Sequence, residues 1–503
     1  MHDQIRDYIR AGFAGLYIVT FEDVRAEAEL KALADELEYT LFNWTITRGI
    51  LNTTSGTVEN ILDPIDAVNA VAELPEKSLL VLSDFHQFLG DRAQPASPLV
   101  TRSLKEQIRT ARTAGKVIVV TGCTLNLPPE LEKEFTVIDY TLPDAGALGV
   151  IADNILASAE ITIDAEMKQH AIESAMGLTT QEAEDIMALS IVKTQTLGPE
   201  LIAGEKARAV KKDGLLEIIE PSETADDIGG LDNLKSWLVK RRNAFTPAAV
   251  EFGLPMPKGT LILGIPGTGK SLTAKTAATI LARPILKLDA GRLFAGIVGE
   301  SEANFRRAIQ TAEAIAPCIL WVDEIEKGFS GVRSSGSSDG GTSARVFGSF
   351  LNWMQEKQSP VFVVATANDV SQLPPEFLRA GRFDQLWFVD LPDAREREAI
   401  WRIHLAKRQR EPENYDITAL AGATDKFTGA EIEQVVIEAL FECFDCDTEL
   451  NQAALMQAID QTVPLAVTMS ESVTRLRQWA KGRARPAGGN DRMRSRNGRR
   501  LAA

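Results

Sequence analysis

The stretch from Gly259 to Ser271, G-T-L-I-L-G-I-P-G-T-G-K-S, constrains the fold more than any other part of the chain. Thr260 to Leu263 is a short apolar run with strand character. It leads directly into Gly264-Ile265-Pro266-Gly267-Thr268-Gly269-Lys270-Ser271, after which Leu272-Thr273-Ala274-Lys275 opens a helix. Strand, glycine-rich turn and helix in that order specify an α/β unit. Glycines in such a turn let the backbone curl until successive N–H groups converge on one point at the positive end of the helix, which suits a bound anion. The spacing G-x-x-x-x-G-K-[ST] therefore reads as a phosphate loop, with Gly264, Pro266, Gly267, Thr268 and Gly269 as the cradle. Lys270 is expected to reach the β- and γ-phosphates of ATP, and the Ser271 hydroxyl to ligate Mg²⁺.

At 503 residues the chain has room for two or three domains with separate cores. No apolar run is long enough to span a membrane and no basic-then-apolar leader opens the sequence, so a cytoplasmic protein without membrane contacts is expected. Four cysteines are too few for a disulfide framework, and Cys443-x-x-Cys446 lacks the second pair or nearby His that a zinc site needs, so it reads as helix packing. The net charge of −16 is uneven. From Arg475 onward ten Lys/Arg face one acid, Asp491, which leaves about −25 on the rest. An acidic body repels nucleic-acid phosphates over about a Debye length, so a nucleic-acid track is disfavoured apart from contact through the basic tail.

Two parts of the chain echo each other. Val117-Ile118-Val119-Val120-Thr121, Leu127-Pro128-Pro129-Glu130 and Leu142-Pro143-Asp144 recur as Val361-Phe362-Val363-Val364-Ala365, Leu373-Pro374-Pro375-Glu376 and Leu391-Pro392-Asp393. Asp84 is aligned with Asp323, and Leu178-Thr179-Thr180 with Phe427-Thr428-Gly429. A nearly constant offset predicts two copies of one fold. In the first copy the phosphate loop falls at Thr20 to Arg25, where no glycine occurs and Glu22 and Asp23 put negative charge, so that copy is expected to bind no nucleotide.

In the second copy Ile319-Leu320-Trp321-Val322-Asp323-Glu324 is an apolar strand with two acids at its carboxyl end, where the phosphate loop also sits. Asp323 is expected to hold Mg²⁺ through water and Glu324 to polarise the attacking water. Asn368, after the buried run Val361 to Thr366, is placed to sense the γ-phosphate. Arg379 and Arg382, in F-L-R-A-G-R-F-D, offer permanent charge and planar donors suited to a neighbouring subunit's γ-phosphate.

From Asp226 to about Ala484 the phrases D-D-I-G-G-L, G-I-P-G-T-G-K-S, V-G-E-S-E, W-V-D-E, A-T-A-N and F-L-R-A-G-R-F-D resemble, in order and spacing, the AAA group of AAA+ ATPases. The resemblance implies a hexameric ring with Arg379 and Arg382 reaching the adjacent ATP site. It places Asp227, Ile228 and Gly229 against adenine, and Gly429 and Ala430 at the start of the lid helix that contacts the nucleotide. The phrases G-I-V-G-E-S-E, A-P-C-I-L-W-V-D-E-I-E-K and Q-E-K-Q-S-P-V-F-V-V-A-T-A-N, with a degenerate first half, are similar to AAA proteins of cyanobacteria and red-algal plastids. The implied fold class is α/β: a degenerate AAA-like domain (1–213), a linker (214–225), an AAA+ core (226–392), a helical lid (393–482) and a disordered basic tail (483–503). The implied activity is ATP hydrolysis that remodels a protein partner, with the first half as adaptor; the alternative is a nucleotide-gated binding switch. Two departures bear on that choice. The first pore loop carries Ile297 and Val298 where threading relatives have an aromatic, and no H-E-x-x-H is present, which excludes the zinc-protease members. The Ser/Gly-rich stretch 330–342 reads as a flexible loop.

Overall fold

The protein is described from a computed structural model covering the chain apart from residues 1, 91–94, 213, 220–223, 225–226, 246, 290–299, 330–339, 380 and 490–503. It divides into two compact units, Met1–Lys206 and Ala207–Ala503. The pore-loop residues Ile297 and Val298 lie outside the described residues, as does most of the Ser/Gly-rich stretch.

The first unit is built on a seven-stranded sheet of β1 (Gly15–Val19), β2 (Thr40–Thr45), β3 (Gly49–Asn52), β4 (Val58–Glu59), β5 (Ser78–Leu82), β6 (Val117–Gly122) and β7 (Thr136–Asp139), in the order β4-β3-β2-β5-β6-β1-β7. Strands β2, β5, β6, β1 and β7 are parallel, and β3 and β4 extend the edge antiparallel. Strand alternation splits the buried side chains between two faces. Leu79, Val81, Val117 and Val119 pack with Ala26, Leu30, Leu33 and Ala34 of the helix Asp23–Leu37. Leu80, Leu82, Ile118 and Val120 pack with Val100, Leu104, Ile108 and Ala111 of the helix Pro98–Thr113. Burial on both faces is why these strands read as continuous apolar runs.

The second unit has a sheet of β8 (Leu216–Ile219), β9 (Gly259–Gly264), β10 (Ile285–Leu288), β11 (Cys318–Val322), β12 (Val361–Ala367), β13 (Gln385–Val389) and β14 (Arg485–Pro486), ordered β14-β13-β9-β12-β11-β10-β8. The run β13-β9-β12-β11-β10 repeats β7-β1-β6-β5-β2 strand for strand, all parallel, with Gly259 opposite Val363 as Gly15 is opposite Ile118. The helices that follow also match at their starts. Asp144 and Asp393 each cap a helix by accepting a backbone N–H three residues on. Thr179 with Glu182, and Thr428 with Glu431, form capping boxes. The two-copy reading of the sequence thus corresponds to two copies of one sheet topology, each followed by helices.

Three expectations are corrected. The segment 214–225 is not simply a linker: Leu216–Ile219 pairs antiparallel with β10 as an edge strand, its apolar residues covering that edge. The basic C-terminal region joins the fold further than expected, because Ala484 and Ala487 are buried and Arg485 and Pro486 pair with Trp387 and Phe388 of β13, the Arg485 guanidinium lying 5.0 Å from the Trp387 ring centre. Helix Ser470–Ala480, expected in the lid, puts Val473, Leu476 and Ala480 into the core of the sheet. The lid core proper is Trp401, Leu405, Leu420, Ile432, Val436 and Leu455, from the helices between Ala394 and Gln461. Cys443 is buried in that core and Cys446 is exposed, both as free thiols.

Candidate functional site

Strand β9 ends at Gly264, and the helix Lys270–Leu281 begins six residues beyond it. Gly267 and Gly269 take φ of +79° and +88°, values that L side chains rarely adopt. A Cβ on Gly267 would lie 2.9 Å from Thr428 Oγ1, so the loop and the lid helix meet closely there. The Ala430 N–H donates to the Gly267 carbonyl at 3.1 Å. Gly229 and Gly429 both lie against Ile400 of the helix Ala394–Lys407. The structure therefore joins the loop to the lid start directly, and the lid start to the Ile228-Gly229 segment through Ile400. Asp227 accepts from the Thr224 backbone and hydroxyl at 2.8 and 2.9 Å, which holds its carboxyl below the usual range, and it pairs with Lys407 at 3.4 Å.

Lys270 is buried at the mouth of the loop and donates from Nζ to the Gly264 and Ile265 carbonyls at 3.0 and 2.7 Å. Burial pulls its pKa down to about 8, against the attraction of Glu326, Asp323 and Glu324. An ammonium held by two carbonyls among three carboxylates is poised to exchange those carbonyls for phosphate oxygens.

Beyond Lys270 runs a connected set of hydrogen bonds. Ser271 Oγ donates to Asp323 Oδ1 at 3.2 Å. Thr366 Oγ1 donates to the same oxygen at 2.6 Å and accepts the Glu324 N–H at 2.9 Å. Asn368 Nδ2 donates to Glu324 Oε1 at 2.9 Å, and the Asn368 N–H donates to Glu326 Oε1 at 2.8 Å. Lys327 pairs with the other oxygen of Glu324. Glu324 itself takes φ +47°, in the left-handed region, which turns its side chain off the end of β11. Thr366 and Glu326 escaped the sequence reading. Glu326 is nearly fully buried, with a carboxyl pushed up by burial and with Oε2 unpartnered among the described residues. The only sequence signal for it was a third acid two residues after Glu324; for Thr366 it was a hydroxyl inside an otherwise apolar strand.

These residues fit a triphosphate and a divalent cation. The loop presents backbone N–H groups and an ammonium, and Ser271 and Asp323 supply the hard oxygen donors that Mg²⁺ prefers. Among the described residues no group of three or more His, Cys, Asp or Glu is gathered for a metal, so such an ion would complete its shell from phosphate and water oxygens.

Arg379 and Arg382 are not brought into this cluster. Arg382 Nη1 donates to the Glu376 carbonyl, and Arg379 is exposed. Nearby, Asp384 accepts the N–H groups of Lys258 and Gly259 at the start of β9, and Lys258 Nζ donates to the Gly381 carbonyl at 2.7 Å. The pair therefore neighbours the end of β9 opposite the phosphate loop, about 20 Å away for a six-residue strand.

The first unit differs where its loop should be. Only Thr20, Phe21 and Glu22 separate β1 from the helix Asp23–Leu37. The buried Glu22 carboxylate accepts the Thr180 N–H at the start of the helix Thr180–Thr194 and pairs with Arg25. A carboxylate thus stands where a phosphate would meet a lid helix. The alignment of Asp84 with Asp323 is corrected by one residue: β5 ends at Leu82 and β11 at Val322, and the positive-φ residues two positions later are Asp84 (+55°) and Glu324.

Three family models match the sequence. Residues 1–140 match the SpoVK-like AAA ATPase N-terminal domain, 146–213 the SpoVK-like AAA ATPase second domain, and 260–391 the ATPase family associated with various cellular activities (AAA). The chain is 38% identical over 479 residues to the uncharacterized AAA domain-containing protein ycf46 of Guillardia theta, covering 94% of this chain and 93% of the relative. It is 38% identical over 491 residues to the ycf46 protein of Pyropia yezoensis, covering 96% and 98%. A shorter match, 29% over 285 residues, covers 54% of this chain and 38% of a cell division cycle protein 48 homolog of Archaeoglobus fulgidus.

Proposed function

This chain belongs to the family of ycf46-like AAA proteins, and from that premise we propose that it is a Mg²⁺-dependent ATP hydrolase that remodels a protein partner as a hexamer. The observation that carries the reading is the hydrogen-bonded path from Ser271 through Asp323 and Thr366 to Glu324 and Asn368, beside the buried Lys270 ammonium at the same loop. Lys270 and the loop N–H groups bind the phosphates. Ser271 and Asp323 would hold Mg²⁺, which would supply charge neutralisation at the phosphate oxygens. Glu324, its carboxylate oriented by Asn368, accepts a proton from the attacking water, and Asn368 couples that carboxylate to the γ-phosphate position.

The placement of Arg379 and Arg382 away from the phosphate loop supports their use in an adjacent subunit. So does the lid helix Gly429–Asp445, where Phe441 and Phe444 are 68% and 86% exposed, an apolar face suited to burial between subunits. The test is complementation. Lys270→Ala and Arg382→Ala should each be inactive alone, and their mixture should regain measurable hydrolysis, because some sites then combine an intact loop with an intact arginine. A mixture as inactive as its components would overturn the shared site. A trans arginine contributes roughly 10³ to 10⁵ in rate, so even a small recovered fraction is readable.

Ile297 in the first pore loop favours a second reading, a nucleotide-gated binding switch that does not thread its partner. Ile297→Ala separates the two. A remodelling motor would lose client unfolding while retaining hydrolysis, whereas a switch would keep ATP-dependent partner capture.

A further inference from the structure

In the second unit the carboxyl ends of the central strands hold Glu324, Glu326 and Asn368. The first unit, with the same strand order, has Asp84, His86 and Cys123 at the matching places. They are not inert replacements. Cys123 Sγ lies 3.5 Å from His86 Nε2, and His86 Nδ1 lies 3.9 Å from Asp84 Oδ1. The imidazole is nine-tenths buried, and its Nδ1 has no hydrogen-bond partner among the described residues. Its seat depends on Gly122: a Cβ there would lie 2.4 Å from His86 Nδ1. The Asn126 amide holds the backbone by donating to the His86 carbonyl at 3.3 Å. Cys123 is half-buried, whereas Cys318 and Cys443 are buried.

We propose that Cys123, paired with His86, is a thiol-modification site that forms a mixed disulfide with a low-molecular-weight disulfide. In the tautomer that carries its proton on Nδ1, on the Asp84 side of the ring, His86 Nε2 is the acceptor that faces the thiol. Burial lowers the imidazole pKa, opposed by the Asp84 charge, so at neutral pH the ring is free to take a proton. As Nε2 removes the thiol proton, the Cys123 sulfur attacks one sulfur of the disulfide. A new S–S bond forms as the old one breaks, and the departing thiolate takes the proton back from the imidazolium. The titratable groups facing the pair are Asp84, from the loop after β5, and Tyr17 of β1, whose hydroxyl donates to the Thr124 carbonyl at 2.7 Å.

The test uses the full chain, oxidised glutathione and peptide mass spectrometry, with the exposed Cys446 as the reference thiol. Cys123 should become glutathionylated at least tenfold faster than Cys446 at pH 7. His86→Gln and Gly122→Ala should bring Cys123 down to the Cys446 rate or lower, and Asp84→Asn should slow it several-fold. The cooperative unfolding transition of the first unit, Met1–Lys206, reports folding, and any variant that lacks it is set aside. Should His86→Gln fail that check, the exposed Asp84 carries the test. Cys123 reacting no faster than Cys446 in the wild type, or reacting unchanged in the folded variants, would overturn the proposal.

Discussion

Thr366→Val tests whether the hydroxyl at the end of β12 organises the hydrolytic carboxylates. Thr366 is 1% exposed, donates to Asp323 Oδ1 at 2.6 Å and accepts the Glu324 N–H at 2.9 Å. Valine keeps the shape and the β-branched χ1 preference but removes both bonds. A hydrogen bond to a charged group contributes about 1.5 to 3 kcal/mol, and an N–H left without a partner costs about 1 to 3 kcal/mol, so the second unit should lose about 3 to 5 kcal/mol. For a domain of this size that lowers its melting transition by roughly 6 to 15 °C. Both carboxylates also lose their common support. Misplacement of a reacting group by about 1 Å can cost on the order of 10²-fold, so kcat should fall by that order. Steady-state hydrolysis gives kcat and KM, and scanning calorimetry of the second unit gives the stability change. Thr366→Ser restores the hydroxyl and should recover most of both. Wild-type kcat in Thr366→Val, or an equal loss in Thr366→Ser, would refute the reasoning, because the second result would assign the effect to the methyl group.

Glu324→Gln should lower kcat by at least 10²-fold while ATP still binds, measured by single-turnover hydrolysis beside nucleotide titration. With Lys270 at about 8 in the free protein, a bound phosphate pulls its pKa back up, so ATP binding should take up about 0.7 proton at pH 8.5. Affinity should be flat below pH 7 and fall as pH rises through 8; calorimetry in buffers of different ionisation enthalpy reads the proton, and its absence would contradict the depressed lysine. Because that folded pKa is below the unfolded value of 10.5, the nucleotide-free second unit should gain stability between about pH 8 and 10.5, a trend visible in urea midpoints. In the first unit, Glu22→Ala strands the Thr180 N–H and the half-buried Arg25, and should cost about 3 kcal/mol in the unfolding transition of that unit without creating a nucleotide site.

The phosphate loop, the Asp323-Glu324 pair, Asn368 and the repeat were legible because each depends on local chemistry: glycines where φ must be positive, acids at the end of an apolar strand, and continuous apolar runs that recur at a nearly constant offset. Strand ends were less legible. Asp84 aligns with Glu324 rather than Asp323 because the register is set by β5 pairing with β2 and β6, and a one-residue slip leaves the sequence pattern almost unchanged. The edge strands β8 and β14 were missed for a related reason: they are short, and β14 is Arg-Pro, whose place is decided by the free edge of β13 and by Trp387 beneath Arg485. The sequence by itself determined that one half carries a phosphate loop and the other does not, since the presence of glycine and lysine, or of Glu22, is a property of single residues. Only the tertiary structure decided that Thr366 joins two carboxylates, that Glu326 is a buried acid, that the arginine pair lies at the far end of β9, and that His86 meets Cys123. Those relations join residues 37 to 126 positions apart, and distances across a sheet are fixed by strand order, which side-chain chemistry along the chain does not encode.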